Sequence, residues 1–170
     1  MIKTVMAGAV AMALVSFGVN AANQGQGIIN FKGTVIDAPC GIAPESADQS
    51  IDFGQISKAH LDTINGISIK KDLDIKLVNC EPSKSVEVTF TGPIISTELT
   101  ELGTAGDTGT AVVISGQNGK LIEFGSKGAP ISLKEGDNTL RYTSWVKKAT
   151  GGTLKEGDFS AVANFNLTYQ

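Results

Sequence analysis

The sequence predicts an all-β fold, a sandwich of short strands, from three observations. Apolar and polar residues alternate with a period of two along several short runs, and helical spacing is missing from those runs. Glycine clusters and prolines separate the runs at intervals, as turns between strands require. The chain has 170 residues, 41% hydrophobic and 18% charged, which suits one globular domain with a short appendage.

The first segment, residues 1–21, reads as a secretory signal peptide. Lys3 supplies the positive start, residues 5–19 are almost wholly apolar or small, and Val19 and Ala21 place small side chains at the −3 and −1 positions. Cleavage is therefore expected after Ala21; cleavage after Ala22 would put Asn20 at −3. An uncleaved anchor is the alternative, but the apolar run is shorter than the roughly 20 residues a spanning helix needs. Removing 21 residues leaves 149, and the loss of Lys3 without any acid takes the net charge from −3 to −4.

Residues 23–27 (Asn-Gln-Gly-Gln-Gly) are too polar to pack a core. Beyond them Ile29, Phe31, Gly33 and Val35 share one parity, opposite Asn30, Lys32 and Thr34. In a strand this is an apolar row with one missing side chain. With nothing local to pair with, residues 22–35 read as an arm, and residues 36–170 as the folded domain. The two cysteines, Cys40 and Cys80, stand in a chain bound for an oxidising compartment, where an even count implies one disulfide. Strands are expected at 73–80 and 85–91. Residues 111–114 and 121–124 flank Asn118-Gly119, a tight hairpin signal. Further strands are expected at 140–146 and 159–169. The single helix candidate covers 96–102. In the last strand Phe159, Ala161, Ala163, Phe165, Leu167 and Tyr169 fall on one parity. A terminal strand this apolar aggregates on an open edge, so something must cover it.

Composition excludes several function classes. A net charge of −3 with one arginine, Arg141, argues against nucleic acid as a partner. One histidine, His60, has no partner set for a metal or a catalytic triad. The glycine-rich stretch 103–109 lacks the Gly-Lys-Ser/Thr of a phosphate loop and reads as a surface loop. Asp52-Phe-Gly54 stands without any other kinase signature. Glu98, Glu101, Asp72 and Asp74 read as solvent-facing. No enzyme, cofactor or metal site is expected.

Taken together, several motifs resemble one family. They are the secretory leader, Gly33-Thr-Val-Ile-Asp-Ala-Pro-Cys40, Ile51-Asp-Phe-Gly-Gln-Ile-Ser57, Gly157 and the penultimate Tyr169. The chain resembles a chaperone–usher pilin along its whole length. It is most similar to the major rod subunits of P-pilus-type fimbriae in Gln24-Gly-Gln-Gly27, Ala47-Asp-Gln-Ser-Ile-Asp-Phe-Gly54 and residues 159–170. The resemblance implies an incomplete immunoglobulin-like sandwich that lacks its last strand. It implies a groove beside the C-terminal strand, filled first by a periplasmic pilus chaperone and then, in a homopolymer, by the arm of the next subunit. Ile29, Phe31, Gly33 and Val35 would be the donor-strand residues. Gly157, Phe159, Ala161, Ala163, Phe165, Leu167 and Tyr169 would form the chaperone and groove strand. An outer-membrane usher and other fimbrial subunits at tip and base would be the remaining partners. The destination would be the extracellular fimbrium, reached through the periplasm. A minor adaptor subunit, or a small receptor-binding sandwich module, is the alternative function.

Overall fold

A computed structural model describes residues 27–35, 37–82, 84–95 and 98–170. The expected signal peptide with its Ala21 cleavage site, the polar start of the arm at 22–26, and the first two residues of the helix candidate lie outside the described residues. The chain divides into two compact units, 1–35 and 36–170, each described by itself. In the first, residues 27–35 carry no regular secondary structure, and Ile28, Ile29, Phe31 and Val35 are exposed. An isolated strand has no hydrogen-bonding partner and does not hold its shape alone.

The second unit is a two-sheet sandwich. Its described strands are β1 (Gly41–Ile42), β2 (Lys71–Cys80), β3 (Ser85–Thr91), β4 (Ile94–Ile95), β5 (Glu98–Gly103), β6 (Thr110–Gly116), β7 (Ile131–Ser132), β8 (Gly136–Lys148) and β9 (Asn164–Tyr169). One sheet runs β1-β2-β8-β6-β5-β4 and the other β7-β3-β9, with every pairing antiparallel. Two one-turn helices, α1 (Pro44–Ala47) and α2 (Lys58–Leu61), lie between β1 and β2; the sequence pattern did not predict them.

Alternation in the sequence becomes alternation in burial. On β3, Val86, Val88 and Phe90 point inward, and their neighbours are half-exposed. Ile75 and Leu77 of β2 and Leu140, Tyr142 and Val146 of β8 meet them across the sandwich in one apolar cluster. The β6 run has no alternation because both its faces are covered, from Thr110 to Ser115. Phe90 and Tyr142 pack edge to face, ring centres 5.0 Å apart. Burial pushes the Tyr142 phenol up to about 12.

Cys40 and Cys80 form the expected disulfide. It ties the entry of the domain to the end of β2, and both cysteines are buried. The free edge of β2 is blunted by side chains from the α1 region. Gln49 Nε2 donates to the Asp74 carbonyl at 2.9 Å, and the Lys76 N–H donates to Ser46 Oγ at 2.9 Å.

Four expectations need correction. The stretch read as helical, 96–102, contributes β5 instead: pairing with β6 and the burial of Leu102 outweigh local helix preference. Residues 121–124 do not form a strand. The Asn118-Gly119 turn is made, with Gly119 at φ 76°, and Ser115 bridges Leu121. Phe124 then dives into the core, and its N–H donates to the Leu99 carbonyl. The terminal strand starts at Asn164, not 159; residues 159–163 are irregular apart from a Ser160 bridge to Ala105. Glu101 is buried rather than solvent-facing, while Asp74 and Glu98 are half-buried and Asp72 is exposed.

Candidate functional site

Among the described residues, β9 has one hydrogen-bonded neighbour, β3, paired from Val86↔Tyr169 to Thr91↔Asn164. Its other edge is open, and beside it runs a groove. The apolar half of the groove encloses about 730 Å³ and has Leu73, Phe90, Leu102, Val112 and Ile114 in its lining. Ile51 and Phe53 form one wall, and residues 159–165 form the other. The second half, about 980 Å³, continues past Ile51, Phe53 and Phe159 to Thr108, Thr110, Leu154 and Gly157. A sandwich whose core opens along one strand edge is short of a strand there. The chemistry of the opening is an apolar floor plus a row of backbone donors and acceptors, which suits an extended segment rather than a small molecule.

The residues expected for the groove strand take different positions. Phe159, Ala161, Phe165, Leu167 and Tyr169 are partly buried against the core; for Phe165, Leu167 and Tyr169, which lie in β9, this is what their shared parity requires. Ala163 is exposed, because the chain is not yet in strand geometry there. Phe165 approaches Phe90 with ring centres 6.5 Å apart. Burial also raises the pKa of the Tyr169 phenol. Gly157 sits at φ 146°, a conformation L side chains rarely adopt, so the wall turns at a point where glycine is required. Of the arm residues, Phe31 is 90% exposed and Val35 wholly so. Gly33 has nothing within 4 Å of an added Cβ.

Sequence reasoning missed the opposite wall. Ile51 and Phe53 share a parity but lie in a stretch with no regular strand, so alternation gave only a faint signal. His60, at the end of α2, is exposed; its Nε2 lies 3.0 Å from the Ile67 carbonyl. It takes no part in the groove.

The pattern also missed Glu101. Its side chain is 3% exposed and ion-paired with Lys147. Thr150 donates to it twice, from its N–H at 2.8 Å and its hydroxyl at 2.7 Å. Burial alone would raise the Glu101 pKa, but the Lys147 and Thr150 hydrogen bonds outweigh it and hold the carboxyl below its ordinary 4.5. The hydrogen bond and charge of Lys148 likewise lower Asp62, and those of Lys155 lower Asp107. A carboxyl with a lower pKa folded than unfolded contributes stability that is complete above the unfolded value. That contribution is lost as pH falls through the folded value. The domain should therefore keep a constant denaturation midpoint from about pH 7 to about pH 5 and lose stability below about pH 4.5. Chemical denaturation across that range checks this; a midpoint still flat at about pH 3 contradicts it.

Comparison with known proteins gives the site its context. A family model described as fimbrial protein matches residues 29–170. The chain is 53% identical to the Pap fimbrial major pilin protein of Escherichia coli, with all of both chains covered. It is 41% identical to the Fimbria A protein of Serratia marcescens over 92% of this chain and 94% of that one. Among solved structures, it matches the crystal structure of the P pilus rod subunit PapA with a TM-score of 0.74 and 50% identity. That match covers 78% of this chain and 100% of that one. It matches a subunit of a chaperone–usher pilus, solved to explain rod uncoiling, with a TM-score of 0.80 and 51% identity. Here 86% of this chain and 97% of that one are covered.

Proposed function

Because the chain belongs to the fimbrial protein family and is a structural pilin of the fimbrial rod, we propose that it polymerises head to tail by donor-strand exchange. The arm of one subunit enters the groove of the next. The incomplete immunoglobulin-like sandwich of such pilins accounts for the open edge of β9, and that edge above an apolar floor is the observation that carries the proposal. Donor-strand complementation of pilins is a known instance of β-augmentation, in which main-chain hydrogen bonds supply affinity and alternate side chains fill pockets. Here Ile29, Phe31 and Val35 are the pocket-filling residues and Gly33 the position that passes where the groove is shallow. Burying three such side chains contributes about 1.5–3 kcal/mol each, or about 5–9 kcal/mol before ordering costs. The join does not close on itself, so it propagates a filament. Its durability rests on slow strand release.

Residues 1–21 direct export and leave at Ala21, residues 22–35 are the donated arm, and residues 36–170 are the pilin domain. In the periplasm a pilus chaperone covers the groove along 157–169, and an outer-membrane usher passes the subunit to the growing fibre. The product is extracellular, with other fimbrial subunits at tip and base.

Gly33→Leu tests the register. The isolated chain has open space at this position, so the variant folds as the wild type does. Its subunits should join fibres about five- to a hundredfold more slowly, as expected when a strained fit costs about 1–3 kcal/mol. Pulse-labelled incorporation into sheared fibres measures this. Incorporation at the wild-type rate would show that Gly33 does not face the groove floor.

A further inference from the structure

Glu101 is the one charged side chain among the buried described residues, and it lies outside the groove lining. Buried carboxylates are costly unless every acceptor site is used. This one uses both oxygens. Oε1 takes Lys147 Nζ and the Thr150 hydroxyl, and Oε2 takes the Thr150 N–H. Thr150 is the second residue beyond β8, where the chain leaves the sheet and starts toward the groove.

From Thr150 onward a short series of contacts carries the chain into the groove wall. The Ala149 N–H donates to the Gly109 carbonyl at 3.0 Å, and the Gly152 N–H returns to the Ala149 carbonyl at 2.9 Å. The backbone of Thr153 passes so close to Gly109 that a Cβ there would meet its carbonyl oxygen at 2.1 Å. The Lys155 N–H then donates to the Thr108 carbonyl at 2.9 Å, and Leu154 is buried in the core. Residues 154–159 go on to line the second half of the groove opposite 51–58. The next backbone tie is Ser160 to Ala105.

We infer that Glu101 is a positioning residue for strand uptake: by clamping Thr150 it fixes where the 154–159 wall stands, and so the width of the groove's second half. The inference rests on the groove being the site that receives the arm. A polar clamp of this kind adds placement more than stability, because a buried ion pair contributes little net free energy beside an apolar replacement. Its location at the root of the wall makes the wall the part that moves when it is broken.

The test uses the full chain and a fluorescent synthetic peptide of residues 27–36. Glu101→Gln and Thr150→Val remove the charge and the hydroxyl donor respectively. Ile75→Val, a trimmed core residue on β2 far along the sheet, is the comparison for general loss of stability. Peptide association should slow about tenfold or more in both clamp variants, the scale of one lost hydrogen bond to a charged group. With Ile75→Val it should stay within about twofold, since that change trims a core methylene and leaves the wall in place. Amide exchange should quicken at Gly152 and Lys155 in the clamp variants while the β3–β9 ladder keeps its wild-type rates. Equal slowing in Ile75→Val, or exchange quickened evenly along the chain, would overturn the inference and leave Glu101 a general stabiliser. If the wild-type chain does not take up the peptide at all, the arm-in-groove reading fails. The exchange pattern then still decides whether Glu101 positions the wall.

Discussion

Deleting residues 22–35, with the signal peptide joined directly to Ile36, leaves a folded domain that does not elongate fibres. Among the described residues the apolar cluster falls between 40 and 169, so the sandwich should keep its core without the arm. On the proposed arm-in-groove reading the deletion removes the row of Ile29, Phe31 and Val35, whose burial would contribute about 5–9 kcal/mol at each junction before ordering costs. At about 1.4 kcal/mol per factor of ten, elongation past a deleted subunit should fall by three orders of magnitude or more. Electron microscopy of surface fibres, with a periplasmic blot for the subunit, measures both halves of this expectation. Fibres of normal number and length would refute the donor-arm assignment. Loss of the periplasmic subunit as well would show that the arm is also needed for folding.

Replacing both cysteines by serine should be the most destabilising simple change to the domain itself. The Cys40–Cys80 bond joins residues 40 apart in sequence. A loop of that size stabilises by roughly 4 kcal/mol on a chain-entropy account. For a domain of this length the melting temperature should fall by about 10–15 °C. The effect reaches the groove as well. The bonded loop contains β1, both short helices and the Ile51–Phe53 wall, and irregular segments like that wall depend on their tethers more than laddered strands do. Thermal unfolding of the oxidised chain against the double variant gives the number. A shift of about 2 °C or less would mean that the sheet alone holds this region.

How much of this was legible in the sequence differs element by element. β3 could be read outright, because Ser85–Thr91 alternates strictly and each inward residue meets the core. β8 was equally plain in its aromatic and β-branched stretch. The 96–102 stretch misled, since Leu99 and Leu102 stand at helical spacing after Ser96 and Thr97. Its pairings make it a strand: Leu102↔Val112 and Gly103↔Ala111 on one side, and Ile94↔Leu102 and Ile95↔Glu98 on the other. Glu101 could not be read at all: its burial depends on Lys147 and Thr150, 46 and 49 residues further on. The groove was half legible. The parity of residues 159–169 showed that Phe159, Ala161, Phe165, Leu167 and Tyr169 turn inward, but wrongly included Ala163, which is exposed. The pattern did not show that 159–163 leave strand geometry, nor that Ile51 and Phe53 close the other side. The glycines of 103–109, read as loop punctuation, include Gly109, which lets the backbone at Thr153 seat against it.

The short strands at the other sheet margins have a consequence for the shape of the product. β1, β4 and β7 are two residues each, and the exposed side of β2 is capped by Gln49 and Ser46. Among the described strands β9 alone offers a long open edge. In the language of polymer chemistry, the proposed arm-in-groove joining gives the monomer a functionality of two, one acceptor and one donated arm. Such a monomer makes unbranched chains whose mean length is set by the ratio of growing subunits to any unit that lacks an arm. Fibre length becomes a matter of stoichiometry, and a second receptive edge anywhere on the sandwich would turn the same protein into a gel.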